Sequence, residues 1–328
     1  MKALFKIFGG FLLAIFLFTS CEKKEKPYPL PPPGNAQTAR VDIGPDYANE
    51  IFFSFSDGMI STGKFASWDI ALNTDPDQNE LWLNGGKNVL IYPTGQSSFT
   101  YQLPPGLSEK DWKYDQPSQL PGQSGLGRLS PQNHMNELLI VRLAEKDYKL
   151  KITEATPAQY TIEVGDMAAT QGTSVVLPKD TQYNFIYFSF ADGIVRPAPP
   201  KTKWDIVFTR YRTVFKGLNP DGSDMPYLVN GVLTNPYRTT AGDDSSHNYD
   251  FNTFSLEDAE KFTQYPDRDI IGYDWKLVNI QTAEYTVLPK RIFVVKDQNG
   301  GLWKLHFVSF YGPDGTKGMP QFEYKRLD

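Results

Sequence analysis

Apolar and polar residues alternate with a period of two along most of this chain. In FIYFSFADG, Phe185, Tyr187, Ser189 and Ala191 fall on one side of an extended segment and Ile186, Phe188 and Phe190 on the other, and Asp192-Gly193 closes it with a turn signal. RIFVVKDQNGGLWKLHFVSFY, from Arg291, has the same form, with Asn299 to Gly301 joining two strands into a hairpin. The closing DGTKGMPQFEYKRL is a turn followed by a strand with Phe322 and Tyr324 on one face. Helical spacing is confined to SLEDAEKFTQY, which opens at Ser255 with an acidic first turn from Glu257 to Glu260. The pattern predicts an all-β fold, with two antiparallel β-sheet domains in tandem.

The tandem arrangement comes from a repeat. IFFSFSDG, residues 51–58, returns as IYFSFADG, residues 186–193, and WDI recurs at Trp68 and Trp204. A third block, ELLIVRLAEKDYKLKITEA from Glu137, is matched by the segment from Arg291, with Lys149-Leu150 against Lys304-Leu305. The spacing grows along the chain, which places an insertion of about twenty residues in the middle of the second copy. Domains are expected at 38–167 and 168–328, each folding separately.

The ends read differently. Lys2 and Lys6 precede an apolar run from Ile7 to Phe18, too short to span a bilayer, and LFTSC then ends at Cys21, the only cysteine. Residues 1–20 are expected to be a signal peptide. Cys21 is the expected lipidation site, and residues 21–37, rich in charge and then proline, a tether. Without a disulfide, stability must come from core burial. A formal net charge of −5 with no basic run outside the tether argues against nucleic acid as a partner.

Candidate chemistry is sparse. Trp68 and Trp204 fit core anchors, and the neighbouring Asp69 and Asp205 fit turn-ordering residues; lying in separate copies without acidic partners nearby, they do not form a catalytic pair. The three histidines, His134, His247 and His306, have no metal-ligand spacing, and neither a phosphate loop nor a nucleophile elbow occurs. The chain is expected not to be an enzyme.

Taken together, the lipobox, the YFSFADG and WDI strands and the terminal RIFVVKDQNGGLWKLHFVSFY…GTKGMPQFEYKRL resemble the HmuY family of bacterial haem-binding lipoproteins, from Val175 to Leu327 and more weakly in the first copy. The resemblance implies an all-β lipoprotein of the outer membrane that captures haem for a TonB-dependent receptor, with iron held by paired histidines or methionines between the WD and FVV strands. Here that region is Thr209 to Lys290 and offers Met225 and His247 as iron contacts, with Tyr237 and Tyr249 as packing partners for the porphyrin; YDWKLVNIQTAEY around Trp275, where the family places its later ligand, has neither His nor Met. Two other roles stay open: a lipoprotein binding a glycan or protein through Tyr227, Tyr237 and Tyr249, and a receptor-accessory structural protein. Whether it faces the cell surface or the periplasm is likewise open.

Overall fold

The computed structural model describes residues 36–144, 146–279 and 281–327. Cys21, the signal peptide and nearly all of the tether lie outside the described residues. Ten strands form the first part: β1 (Gln37–Arg40), β2 (Asn49–Ser54), β3 (Gly58–Lys64), β4 (Ile70–Asn73), β5 (Leu81–Leu83), β6 (Leu90–Pro93), β7 (Leu138–Leu143), β8 (Lys146–Ala155), β9 (Gln159–Asp166) and β10 (Thr173–Pro178). Ten more follow: β11 (Phe185–Ser189), β12 (Gly193–Val195), β13 (Ile206–Phe215), β14 (Met225–Thr234), β15 (Thr240–Asp243), β16 (Lys276–Asn279), β17 (Glu284–Val287), β18 (Phe293–Lys296), β19 (Leu302–Tyr311) and β20 (Lys317–Arg326). The all-β expectation holds. The expected helix is a single turn, α1 (Leu256–Ala259), capped by Ser255, whose hydroxyl accepts the Asp258 N–H while the Asp258 carboxylate accepts the Ser255 N–H. Turns follow it to Phe262, and Tyr265 then exchanges backbone hydrogen bonds with Ala241.

Four antiparallel sheets build two sandwiches. One packs the sheet β10-β9-β8-β7-β6 on β12-β11-β4-β5, through Leu139, Val141, Leu150, Ile152 and Tyr160 against Ile70, Leu72, Ile186 and Phe188. The other packs β1-β20-β19-β18-β15 on β14-β13-β2-β3, through Phe307, Phe322, Leu305 and Phe293 against Ile51, Phe53, Ile206 and Phe208. Burying the inward-facing aromatic and aliphatic side chains supplies the main driving force, at about 25 cal/mol per Å² of apolar surface.

The strand pairing crosses the expected boundary between 167 and 168. The first FFSF hairpin, β2-β3, pairs with β13, the second WDI strand, and the second hairpin, β11-β12, pairs with β4, the first. The boundary also falls within the connection 167–172 between β9 and β10, two strands that pair over six residue couples from Thr173–Val164 to Pro178–Gln159. Each half of the chain thus places its hairpin in the other's sandwich, and the stretches 38–167 and 168–328 form one interlocked body in which neither has all its strands.

Both WD motifs make the same bonds across this exchange. Asp205 accepts the Phe55 N–H at 2.8 Å and Asp69 accepts the Phe190 N–H at 2.7 Å, so each aspartate orders the turn of the other copy's hairpin. Asn84 donates to the Phe65 and Trp68 carbonyls at 2.7 and 2.8 Å, and Asn235 to those of Lys201 and Trp204 at 2.7 and 2.6 Å. Buried Lys149 and Lys304 each spend their ammonium on two carbonyls, those of Phe99 and Ala169 and those of Phe251 and Phe254. Trp204 is a core residue, edge-on to Phe52 at 4.9 Å, as expected for an anchor; Trp68 is only half-buried and meets Tyr187 edge-on at 5.1 Å.

Candidate functional site

The region from Thr209 to Lys290 is dominated by a long two-stranded ribbon, β13-β14, paired over ten residue couples from Ile206–Thr234 to Phe215–Met225. Its turn carries LNPDGSD, where Lys216 Nζ donates to Asp224 Oδ2 at 2.8 Å and the Gly217 N–H to Asp224 Oδ1 at 3.1 Å. Those bonds raise the Lys216 pKa and hold the Asp224 carboxyl low.

Period-two alternation puts Tyr211, Thr213 and Phe215 on the same face of the ribbon as Val229, Tyr227 and Met225. At its base this face is core, with Tyr211 and Val229 packed among Phe52, Trp204, Val207 and Leu233. At its end the face opens. Met225 stands opposite Phe215, whose ring lies 5.6 Å from Tyr227 and 6.1 Å from Tyr273. Tyr227 is 54% exposed and Leu218, in the turn, 61%. The result is a thioether and several rings on an accessible apolar patch, with a cationic and acidic rim from Lys216 and Asp224.

The other candidates lie elsewhere. His247 occupies a half-buried left-handed turn position (φ 55°) after β15, in a different sheet from Met225, and no hydrogen bond, ion pair or ring contact joins the two. Tyr249 packs edge-on against Phe254 at 5.1 Å and near Phe262 at 5.6 Å, inside a small core cluster. Tyr237 carries the Lys201 ammonium over its ring at 4.8 Å. Thus the register sets Met225 opposite Phe215, whose ring lies near Tyr227 and Tyr273, while His247, Tyr237 and Tyr249 make their contacts elsewhere.

The remaining histidines are engaged. His306 is buried, stacked on Phe251 at 4.0 Å, with Nδ1 2.8 Å from the Pro289 carbonyl and Nε2 3.0 Å from Glu323. His134 Nδ1 meets Glu137 at 2.7 Å. Among the described residues no group of three His, Cys, Asp or Glu side chains could hold a metal ion.

Phe215, Leu218 and Tyr273 were not among the sequence candidates. The signal for the first two was present: TRYRTVF and MPYLVNGVL flank the NPDG turn, and read as one hairpin they place Phe215 opposite Met225. Tyr273 has no such signal, because it reaches the ribbon from a separate loop.

Residues 181–324 match the family model for the HmuY protein. The second part of the chain is thus similar to the HmuY family. That segment includes the whole β13-β14 ribbon, Met225 and the terminal strands through Tyr324. Among solved structures, apo PinO from Porphyromonas gingivitis is 13% identical, covering 89% of this chain and 97% of its own, with a TM-score of 0.30. The apo HmuY analogue TFO of Tannerella forsythia is 12% identical, covering 89% and 96%, with a TM-score of 0.26. A candidate HmuY-like haem-binding protein from Bacteroides vulgatus is 11% identical, covering 88% and 90%, with a TM-score of 0.23. No curated protein matches the chain.

Proposed function

We propose that this HmuY-family chain is a lipid-anchored haem-binding protein, tethered through Cys21 at the outer membrane, that hands haem to a TonB-dependent receptor. The observation that carries the reading is that the HmuY segment holds Met225 on an accessible face beside Phe215, Tyr227 and Tyr273. A porphyrin is a large flat apolar plate, and covering it with rings removes apolar area from water. A methionine thioether is a recognised axial ligand for haem iron. Met225 is accordingly the proposed iron contact, with Tyr227 and Phe215 along the porphyrin. His247 can contribute only from the turn after β15. Binding is the role that the accessible rings and thioether of the ribbon end support.

Titration of ferric and ferrous haem into the full chain, followed in the Soret region, tests this. A saturable, distinct bound spectrum is expected. If neither oxidation state gives one, the same exposed rings are left as a platform for a glycan or protein ligand, and the haem reading falls.

A further inference from the structure

The two inner sheets, β14-β13-β2-β3 and β12-β11-β4-β5, face each other across a cavity of about 80 Å³. A water needs roughly 10–15 Å³ on this scale, so the space suits several waters or one small organic molecule. Asp115, Arg210 and Arg212 belong to its lining, with Asp115 accepting the Leu83 and Gly125 N–H groups and Arg212 donating to the Val89 carbonyl and to Asn88; the other two charges on the lining are opposite in sign. Glu50, from β2, is 6% exposed, and Arg268, from the loop before β16, is 8% exposed. Alternation explains why Glu50 is there: Ile51 and Phe53 take the core face of β2, which leaves Glu50 and Phe52 on the opposite one.

These charges do not close into an ion pair. Glu50 is held by Thr209, whose hydroxyl donates to Oε2 at 3.0 Å. Arg268 is held by the Thr234 carbonyl, which accepts from Nε at 2.7 Å, and by the Gln119 side chain. A buried charge without a partner costs several kcal/mol, so a fold that merely tolerated this couple would let it collapse into contact. Instead both members are pinned from behind and face the same space. Burial pushes the Glu50 carboxyl up to about 7, with Thr209 and Arg268 pulling it back. The walls add an indole donor: the Trp204 N–H lies buried without a hydrogen-bond partner, on the same lining as Trp68 and Tyr187.

We propose that this cavity binds a small zwitterion of the α-amino acid class, its ammonium on Glu50, its carboxylate on Arg268, and its side chain against the aromatic walls. An ammonium answers the carboxylate that only Thr209 now satisfies. A carboxylate can take a guanidinium together with the Trp204 N–H, matching planar acceptor to planar donor. Neither a simple acid nor a simple amine satisfies both ends. The site lies between the exchanged hairpins, with Glu50 and Tyr187 contributed by one hairpin each, and does not depend on the haem reading.

The experiment is isothermal titration calorimetry on the full chain with L-alanine, L-leucine and L-phenylalanine, set beside the deaminated and decarboxylated analogue of each, with tryptophan fluorescence as a second readout. At least one amino acid is expected to bind, with both of its analogues weaker by about tenfold or more, the equivalent of one charge-assisted hydrogen bond. Glu50→Gln is expected to weaken the amino acid by a similar factor and to leave the deaminated analogue unchanged. Tyr187→Phe, which removes only a hydroxyl, should keep the preference for the zwitterion. If none of the three amino acids binds, or if analogues of the wild-type protein's best ligand bind as tightly as the amino acid itself, the proposal is overturned, whether or not the Glu50 variant folds.

Discussion

The Asp205 carboxylate accepts the backbone N–H of Phe55 at 2.8 Å across 150 residues of chain. Phe55 is fully buried, and no water can replace that partner. Asp205→Ala should therefore cost about 1–3 kcal/mol, the penalty for an orphaned buried donor, with Asp205→Asn costing less. Urea unfolding of the two variants checks this; equal stability of Asp205→Ala and the parent would contradict the bond's importance.

Exchange of the hairpins predicts how the chain tolerates being divided. Residues 168–328 alone lack β2-β3, which leaves β13 paired with β14 on one side only and Ile206 and Phe208 without Ile51 and Phe53. That piece should be insoluble or unfold without a cooperative transition, and adding residues 36–167 should restore one. A piece 168–328 that unfolds cooperatively by itself would show that the exchange is dispensable.

The ribbon lies hard against the first copy at Gly86. A Cβ there would sit 2.4 Å from the Arg210 carbonyl oxygen and 3.0 Å from the Phe65 ring. Since the obstacle is backbone, Gly86→Ala should destabilise by about 1–3 kcal/mol through forced displacement. Thermal unfolding reads the effect, and an unchanged midpoint would place the ribbon farther away than described.

Three buried acids set the pH dependence. Burial raises Glu50 from 4.5 to about 7, Asp115 from 3.8 to about 7 and Asp205 from 3.8 to about 6, in each case against hydrogen bonds that pull downward. The folded chain keeps protons that the unfolded chain releases, so this contribution is complete below the unfolded values and is lost as pH rises through 6 to 7. Lys276, pushed down to about 7 by burial, acts with the opposite sign only above that. Stability from urea midpoints should fall between about pH 4.5 and pH 7, by on the order of 3 kcal/mol for Glu50 alone, and Glu50→Gln should flatten the slope. A rise over that window would contradict these assignments.

Much of the fold was legible in the sequence because alternation is a local signal. Ile186 and Phe188 do face the outer core, and Phe185 and Tyr187 the cavity between the inner sheets. The role of Asp69 and Asp205 as turn-ordering residues was legible too, but not whose turn they order. Two hairpins and two WDI strands with nearly the same residues carry no local code for choosing partners. The chain crosses from one sandwich to the other at Phe65–Ser67, a 3-10 turn between β3 and β4, and again at Lys201–Lys203, between β12 and β13. Arg210 and Arg212 hid the ribbon, since charged residues in a strand read as loop. Arg212 is in fact buried, donating to the Val89 carbonyl at 3.2 Å and to Asn88. Pairing Met225 with His247 by chain position therefore left out the strand register, which sets Met225 against Phe215.

Met225 at the ribbon end is the proposed contact to haem iron. Soret and visible spectra of the ferric and ferrous complexes of the full chain, recorded beside Met225→Ala, Tyr227→Ala and His247→Ala, test it most directly. Met225→Ala should shift the bands in at least one oxidation state, Tyr227→Ala should weaken binding by roughly 0.5–1.5 kcal/mol with the bands in place, and His247→Ala should leave the ferrous bands unmoved if the thioether alone holds the iron. Bands that stay where they are in Met225→Ala, with affinity unchanged in Tyr227→Ala, would place the haem elsewhere and contradict the claim.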